Sequence, residues 1–205
     1  MTEEEAKGWL SERFDAAGVA RVERYVALLL QEAERQNLIS AATIPSLWAR
    51  HIVDSAQLLN HAPDDWRHWV DIGAGAGLPG VVVAALTGRQ VTLIEPRRLR
   101  VAFLERCADS LGLDRMDVVH AKAERVEGIG IADVVSARAV AKLDALLAAS
   151  QGFAGKATTF VLPKGESAHS EVAAARPTWH GRFHVKHSIV DPVSGIVVAS
   201  GVAAR

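Results

Sequence analysis

The sequence predicts an α/β fold, a mostly parallel sheet of the seven-stranded type with a terminal antiparallel strand, preceded by a helical region. Up to about Pro63 the apolar residues recur at three- and four-residue steps, the period of a helix with one buried face. From Trp69 the period changes, and short β-branched runs alternate with helical stretches, the pattern of parallel strands joined by crossover helices. The last two strand-like runs, Arg182 to Val190 and Gly195 to Val202, are joined by Asp191-Pro-Val-Ser-Gly195. That turn is too short for a helical crossover, so at least one late strand runs antiparallel.

In chain order, Thr2 and Glu5 form a capping box, and Trp9, Leu10 and Phe14 follow at helical spacing until Gly18 offers a stop. Val22, Tyr25, Val26, Leu29 and Ala33 mark a second helix; Leu47, Trp48, His51, Ile52, Ser55 and Leu59 mark a third after Pro45. The strands are placed at Val70 to Ile72, Val91 to Glu95, Val118 to His120, Val134 to Ser136 and Thr159 to Leu162. A chain of 205 residues fits one domain, 1–205, divided into a helical extension, 1–64, and an α/β core, 65–205.

Composition excludes several classes of function. No apolar run reaches the roughly 18 residues of a bilayer span. Thr2-Glu3-Glu4-Glu5 is acidic where a secretion signal begins with basic residues, so a cytoplasmic protein without membrane attachment is expected. The lone cysteine, Cys107, lies in an apolar helical stripe and makes neither a disulfide nor a multi-cysteine metal site. A formal net charge of −1 gives no global attraction to nucleic acid, so an RNA partner would be gripped by a local basic patch.

The densest chemical signal is Val70-Asp71-Ile72-Gly73-Ala74-Gly75-Ala76-Gly77-Leu78-Pro79-Gly80. A strand runs into a glycine turn, and Pro79 is placed to open the next helix. Gly75, Gly77 and Gly80 satisfy G-x-G-x-x-G, and Glu95 falls at the end of the second strand, where an acid can accept ribose hydroxyls. That much suits NAD and S-adenosylmethionine equally. A dinucleotide needs a second mononucleotide-binding half, for which the flanking helices and the final hairpin leave little room. Asp71 in the cradle also repels a pyrophosphate while tolerating a cationic methionine end. Methyl transfer from S-adenosylmethionine is therefore favoured over a small NAD(P)-binding oxidoreductase or a noncatalytic RNA-binding module.

Further motifs accompany the cradle: Arg50-His51-Ile-Val-Asp54-Ser55 before it, then Arg100-Val-Ala-Phe103-Leu104, Ala123-Glu124, Ser136-Ala-Arg138-Ala139 and Lys164-Gly165. With the Gly-Leu-Pro-Gly run they resemble, in order and over nearly the whole chain, the RsmG family, also called GidB. The resemblance implies a class I S-adenosylmethionine-dependent methyltransferase that modifies N7 of a guanine in the decoding region of 16S rRNA, free or in the small ribosomal subunit. It implies cofactor contacts from Gly73, Leu78, Ala123, Glu124 and Arg138, with Glu95 at the ribose. Two positions depart from the family: Leu99 stands where a lysine is usual, and Asn37-Leu38-Ile39 replaces Asn-Leu-Thr.

Asp71, Gly75 and Gly77 join the cofactor set through the cradle. Arg138 follows the fourth strand and Lys164 the fifth, so both are candidate catalytic residues at the sheet edge where ligands bind, and Lys164 could instead meet RNA phosphate. Arg50, His51, Arg97, Arg98 and Arg100 complete the RNA-binding candidates. Three arginines at a helix start oppose its dipole and suggest another purpose, although a solvated face explains them as simply. His51 is read as a packing residue that Asp54 could orient. His180, His184 and His187 alternate with Lys186 on an exposed strand face, and no metal is assigned to them. A monomer is expected.

Carbon methylation of a pyrimidine commonly needs a nucleophilic cysteine, a poor role for Cys107. Exocyclic amines are usually served by an Asn/Asp-Pro-Pro-aromatic turn after the fourth strand, where this chain has Ser136-Ala-Arg138-Ala139. Guanine N7 already carries a free lone pair, and a site without an evident general base suits it.

Overall fold

The computed structural model describes residues 1–205, and its seven strands form one sheet in the order β3-β2-β1-β4-β5-β7-β6. The strands are β1 (His68–Ile72), β2 (Gln90–Ile94), β3 (Met116–Val119), β4 (Ala132–Ala137), β5 (Ala154–Gly165), β6 (Trp179–His187) and β7 (Gly195–Ala204). The first five are parallel, and β7 runs antiparallel to both β5 and β6. Crossovers are supplied by α4 (Gly80–Thr87), α5 (Arg98–Leu111), α6 (Leu143–Ala149) and α7 (Ala168–Ala175). Strand order reverses between β1 and β4, so a crevice opens beyond the carboxyl ends of the central strands.

Ahead of the sheet stand α1 (Glu3–Arg13) and α2 (Ala16–Ala33). The Thr2–Glu5 capping box forms as expected. Gly18, expected to stop the first helix, instead lies in the first turn of α2, because Asp15 caps that helix by accepting the Gly18 N–H at 2.6 Å. The amphipathic stretch around His51 is also less regular than its spacing implied. It runs as a 3-10 segment Ala41–Ser46, a π turn Trp48–Val53, one α turn α3 (Asp54–Ala56) and a 3-10 segment Gln57–His61. Pro45 lacks an N–H to donate, and the wide turn that follows turns His51 and Asp54 toward the sheet edge; such turns recur at functional sites.

The extension is tied to the cradle side of the sheet. Tyr25, fully buried, donates its hydroxyl to the Ala76 carbonyl at 2.7 Å, and Arg21 Nε reaches the Ala85 carbonyl at 2.8 Å. One apolar cluster of 35 buried residues runs from Ala6 through α2 and α4 to Val161 and Ile196. A second, of 21, fills the opposite face of the sheet beneath α6 and α7. Cys107 is wholly buried in the first cluster, and burial pushes its thiol up to about 12. No helix is long and apolar enough to cross a membrane.

The end of β6 also differs from expectation. The strand stops at His187, not Val190, because Ser188 turns inward to donate toward Asp54 and accept from Gln57, while the Ile189 N–H donates to Gln57 Oε1. Lys164 and Gly165, expected just after β5, are its last residues.

Candidate functional site

Two cavities open side by side at the carboxyl edge of the sheet, and the segment Ala139–Ala141 lines both. The larger, ≈ 690 Å³, is mostly apolar: Ile72, Gly73, Ile94, Ala121, Ala123, Val140 and Leu146 line it, with the carboxylates of Glu95 and Glu124 at polar positions. The smaller, ≈ 480 Å³, holds Asp54, Arg138, Lys164, Ser188, Ser194 and Glu171.

The glycine loop is built from below. Asp71 is buried at the end of β1; its Oδ2 accepts the Gly80 N–H at 3.0 Å and its Oδ1 the Ser136 hydroxyl at 2.7 Å. Trp69 Nε1 donates to the same Ser136 oxygen, so the base of the loop is bonded to β4. Burial dominates the Asp71 carboxyl and pushes it up to about 7. Glu95 is buried too and accepts the Gly75 and Arg97 N–H groups, each at 2.8 Å, one on each carboxylate oxygen. Each oxygen keeps a second lone pair for a ligand hydroxyl. Gly73 and Gly77 combine a left-handed backbone with a lack of space: at Gly73 (φ +65°) a Cβ would lie 2.6 Å from Val140 Cγ2, and at Gly77 (φ +94°) 2.4 Å from Val81 Cγ2.

Of the cofactor candidates, Gly73, Glu95, Ala123 and Glu124 line the larger cavity. Asp71, Gly75, Gly77 and Leu78 do not: Asp71 is buried and bonds Gly80 and Ser136, Gly75 bonds Glu95, Gly77 packs against Val81, and Leu78 lies in the apolar core. Arg138 faces the smaller cavity, one residue from the shared wall. Nothing in the sequence pointed to Val140, Leu146 or Pro96 as part of the larger cavity.

Arg138 is the centre of the smaller cavity. Its Nη1 lies 3.6 Å from Asp54 Oδ2 and 3.2 Å from His51 Nδ1. His51 Nε2 is 2.8 Å from the Thr43 hydroxyl, which itself donates to the Ser40 carbonyl, so the neutral tautomer protonated at Nε2 satisfies every contact. Burial, with the charges of Arg138 and Arg50, lowers the imidazole to about 4 and keeps it neutral at pH 7. Asp54 is pushed up by burial and held down by Arg138, Gln57 and Ser188. Ala139, next in the chain, is the one non-glycine residue at positive φ (56°), a conformation L-residues adopt at some cost.

Lys164 is less available than its position suggested. Its side chain is only 6% exposed, and its Nζ bonds Glu171 Oε2 at 3.0 Å and the Ala141 carbonyl. Glu171 also accepts the Leu143 N–H at 2.7 Å, so the pair fixes both ends of the turn entering α6. Of the arginines expected to meet RNA, only Arg97 lines a cavity, the larger one; Arg50 and Arg98 are exposed, and Arg100 is half-buried under Gly75. Leu99 is 72% exposed in the first turn of α5, so an apolar side chain stands on the surface where the family usually has a lysine. No three histidine, cysteine, aspartate or glutamate side chains gather as a metal-holding group.

A family model described as rRNA small subunit methyltransferase G matches residues 19–193. Proteins named ribosomal RNA small subunit methyltransferase G from Rhizorhabdus wittichii and Novosphingobium aromaticivorans are 46% and 44% identical to the chain. Both alignments cover 100% of this chain, with 95% and 91% of those proteins. Among solved structures, a cofactor-bound protein from MTB superimposes with a TM-score of 0.61 at 17% identity, over 87% of this chain and 89% of that one. M. jannaschii TYW2 in complex with AdoMet gives 0.55 at 16%, over 76% of each.

Proposed function

The chain belongs to the rRNA small subunit methyltransferase G family of S-adenosylmethionine-dependent enzymes, and on that premise we propose that it methylates N7 of a guanine in 16S rRNA, in the decoding region. The observation that carries the reading is the pair of abutting cavities: one mostly apolar with Glu95 and Glu124 in its lining, the other lined by Arg138 and Asp54, with a shared wall of three residues. The lining of the larger cavity suits an adenosyl group: apolar Ala123 and Leu146 would hold the adenine, the spare lone pairs of Glu95 would accept the ribose hydroxyls, and Gly73 would leave room for the methionine end. Held there, S-adenosylmethionine would supply an electrophilic methyl group on its sulfonium sulfur, an acceptor for the free lone pair of guanine N7.

No proton leaves in that displacement, so the residues of the smaller cavity orient and compensate charge. Arg138 donates to the base edge or a flanking phosphate of an extruded guanosine, held in direction by Asp54 and neutral His51. Guanine O6 suits it better than N7, which becomes positive. Asp54 offsets that charge. Lys164 acts on the shared wall through the Ala141 carbonyl, with Glu171 holding the turn. Because Asp54 and His51 come from the extension and Arg138 from the core, residues 1–64 and 65–205 act as one unit.

Incubating the protein with labelled methyl donor and 16S rRNA, naked or in small subunits, is expected to yield 7-methylguanosine on nucleoside mass spectrometry. A different methylated nucleoside, or none from either substrate, refutes the reading. The chemical step should also be flat with pH. His51 is already neutral above about pH 5, and single-turnover rates from about pH 7 to 8.5 are expected to vary by less than about twofold. A tenfold rise per pH unit would require a general base and exclude lone-pair attack.

A further inference from the structure

The outer strand β6 carries a row of side chains that the cavities leave unused. His180, Arg182, His184 and Lys186 alternate along it, all exposed, on the face opposite Phe183 and Val185, which pack into the second core. Their register partners on β7 are Ala203, Ser200, Val198 and Ile196, so no acidic side chain faces them from the neighbouring strand. Neither Arg182 nor Lys186 has a carboxylate partner, and the one side-chain bond of Arg182 is to the Ser200 hydroxyl at 3.4 Å. From the extension, His61 approaches the Lys186 end, and its imidazole is lowered by burial and by that cation.

The row leads to the site. β6 ends at His187, which pairs with Gly195; Gly195 pairs with Gly165, and Gly165, Gly195 and Ser188 line the Arg138 cavity. At about 3.3 Å per residue, His180 to Lys186 spans about 20 Å, the length of about six stacked nucleotides. In a chain of net charge −1, a continuous unpaired row of cations and N–H donors ending at the base cavity is the local concentration of charge an RNA strand requires.

We propose that the exposed face of β6, His180, Arg182, His184 and Lys186, is a track that binds the phosphate backbone of the RNA flanking the methylated guanine. The proposal rests on the rRNA methyltransferase reading. The track carries no sequence information; it sets the register of the strand entering the Arg138 cavity.

The test compares wild type with Arg182→Ala/Lys186→Ala and with Arg182→Glu/Lys186→Glu, using naked 16S rRNA and assembled small subunits. The alanine pair is expected to raise KM for RNA about tenfold near 0.15 M salt, and the charge reversal more. Single-turnover rate at saturating RNA and affinity for S-adenosylhomocysteine should stay at wild-type values. The slope of log affinity against log salt should become shallower by about 1.4 to 1.8, two phosphate contacts at about 0.7 to 0.9 each. Unchanged KM and slope overturn the track, as does a fall in single-turnover rate with unchanged KM. Weakened binding to subunits with unchanged binding to naked RNA assigns the face to a ribosomal protein and also overturns it. If wild type methylates neither substrate, the rRNA reading itself fails, and the track with it.

Discussion

Arg138→Ala is expected to lower kcat/KM for RNA by about 100-fold or more while S-adenosylhomocysteine still binds. A charge-assisted hydrogen bond contributes roughly 1.5 to 3 kcal/mol, which alone corresponds to about 10- to 150-fold. The variant also leaves Asp54, whose side chain is 20% exposed, without its cation and His51 Nδ1 without a donor. Stability is controlled independently: if the larger cavity is intact, S-adenosylhomocysteine raises the melting temperature of the variant by the wild-type increment, because product binds the folded state alone. Arg138→Lys should recover only part of the rate, since a single ammonium cannot reach Asp54, His51 and substrate with the fork of a guanidinium. Wild-type turnover by a folded Arg138→Ala protein would reduce the residue to a structural ion pair.

That arginine illustrates how far the sequence reaches. Its position after a buried strand at the ligand-binding edge was readable from periodicity, as was the antiparallel end of the sheet from the short Asp191-to-Gly195 turn. The partners that aim it were not. Asp54 and His51 reach Arg138 only because the π turn after Pro45 departs from the regular helix that apolar spacing implies. Ser188 joins them because β6 ends early. Pro45 marks a break in the first case but not the width of the turn, and the contacts that use both departures join segments more than 80 residues apart. The cradle shows the opposite failure: its glycines were visible, but their reasons were mixed. Gly73 lines the cavity and also leaves room for Val140, whereas Gly77 makes room for Val81 and is not part of the cavity lining. Lys164 had the right address, yet burial against Glu171 commits its amine to the shared wall, which no sequence pattern reveals.

Asp71→Asn is expected to change how stability depends on pH more than any other single substitution in the cradle. An unfolded aspartate releases its proton near pH 3.9, whereas burial holds the native Asp71 carboxyl up at about 7. Between those values the native state binds the extra proton, so this residue makes the protein less stable as pH rises, by about 1.4 kcal/mol per unit while only the unfolded form is ionised. His51 acts in the opposite sense. Its native imidazole titrates at about 4 against about 6.5 when unfolded, so the unfolded state binds the proton and stability rises with pH across that window. In wild type the two slopes oppose each other from about pH 4 to 6.5, and above 6.5 only the falling slope of Asp71 continues, to about 7. Asparagine keeps an acceptor for the Gly80 N–H and a donor for the Ser136 oxygen, so the loop retains its two anchors without the titrating proton. Urea unfolding of both proteins from pH 4.5 to 8 is therefore expected to show the variant gaining stability relative to wild type as pH rises, with no further change above about 7.5. Parallel curves across that range would mean that Asp71 stays ionised in the folded protein, its charge carried by the Gly80 and Ser136 hydrogen bonds alone.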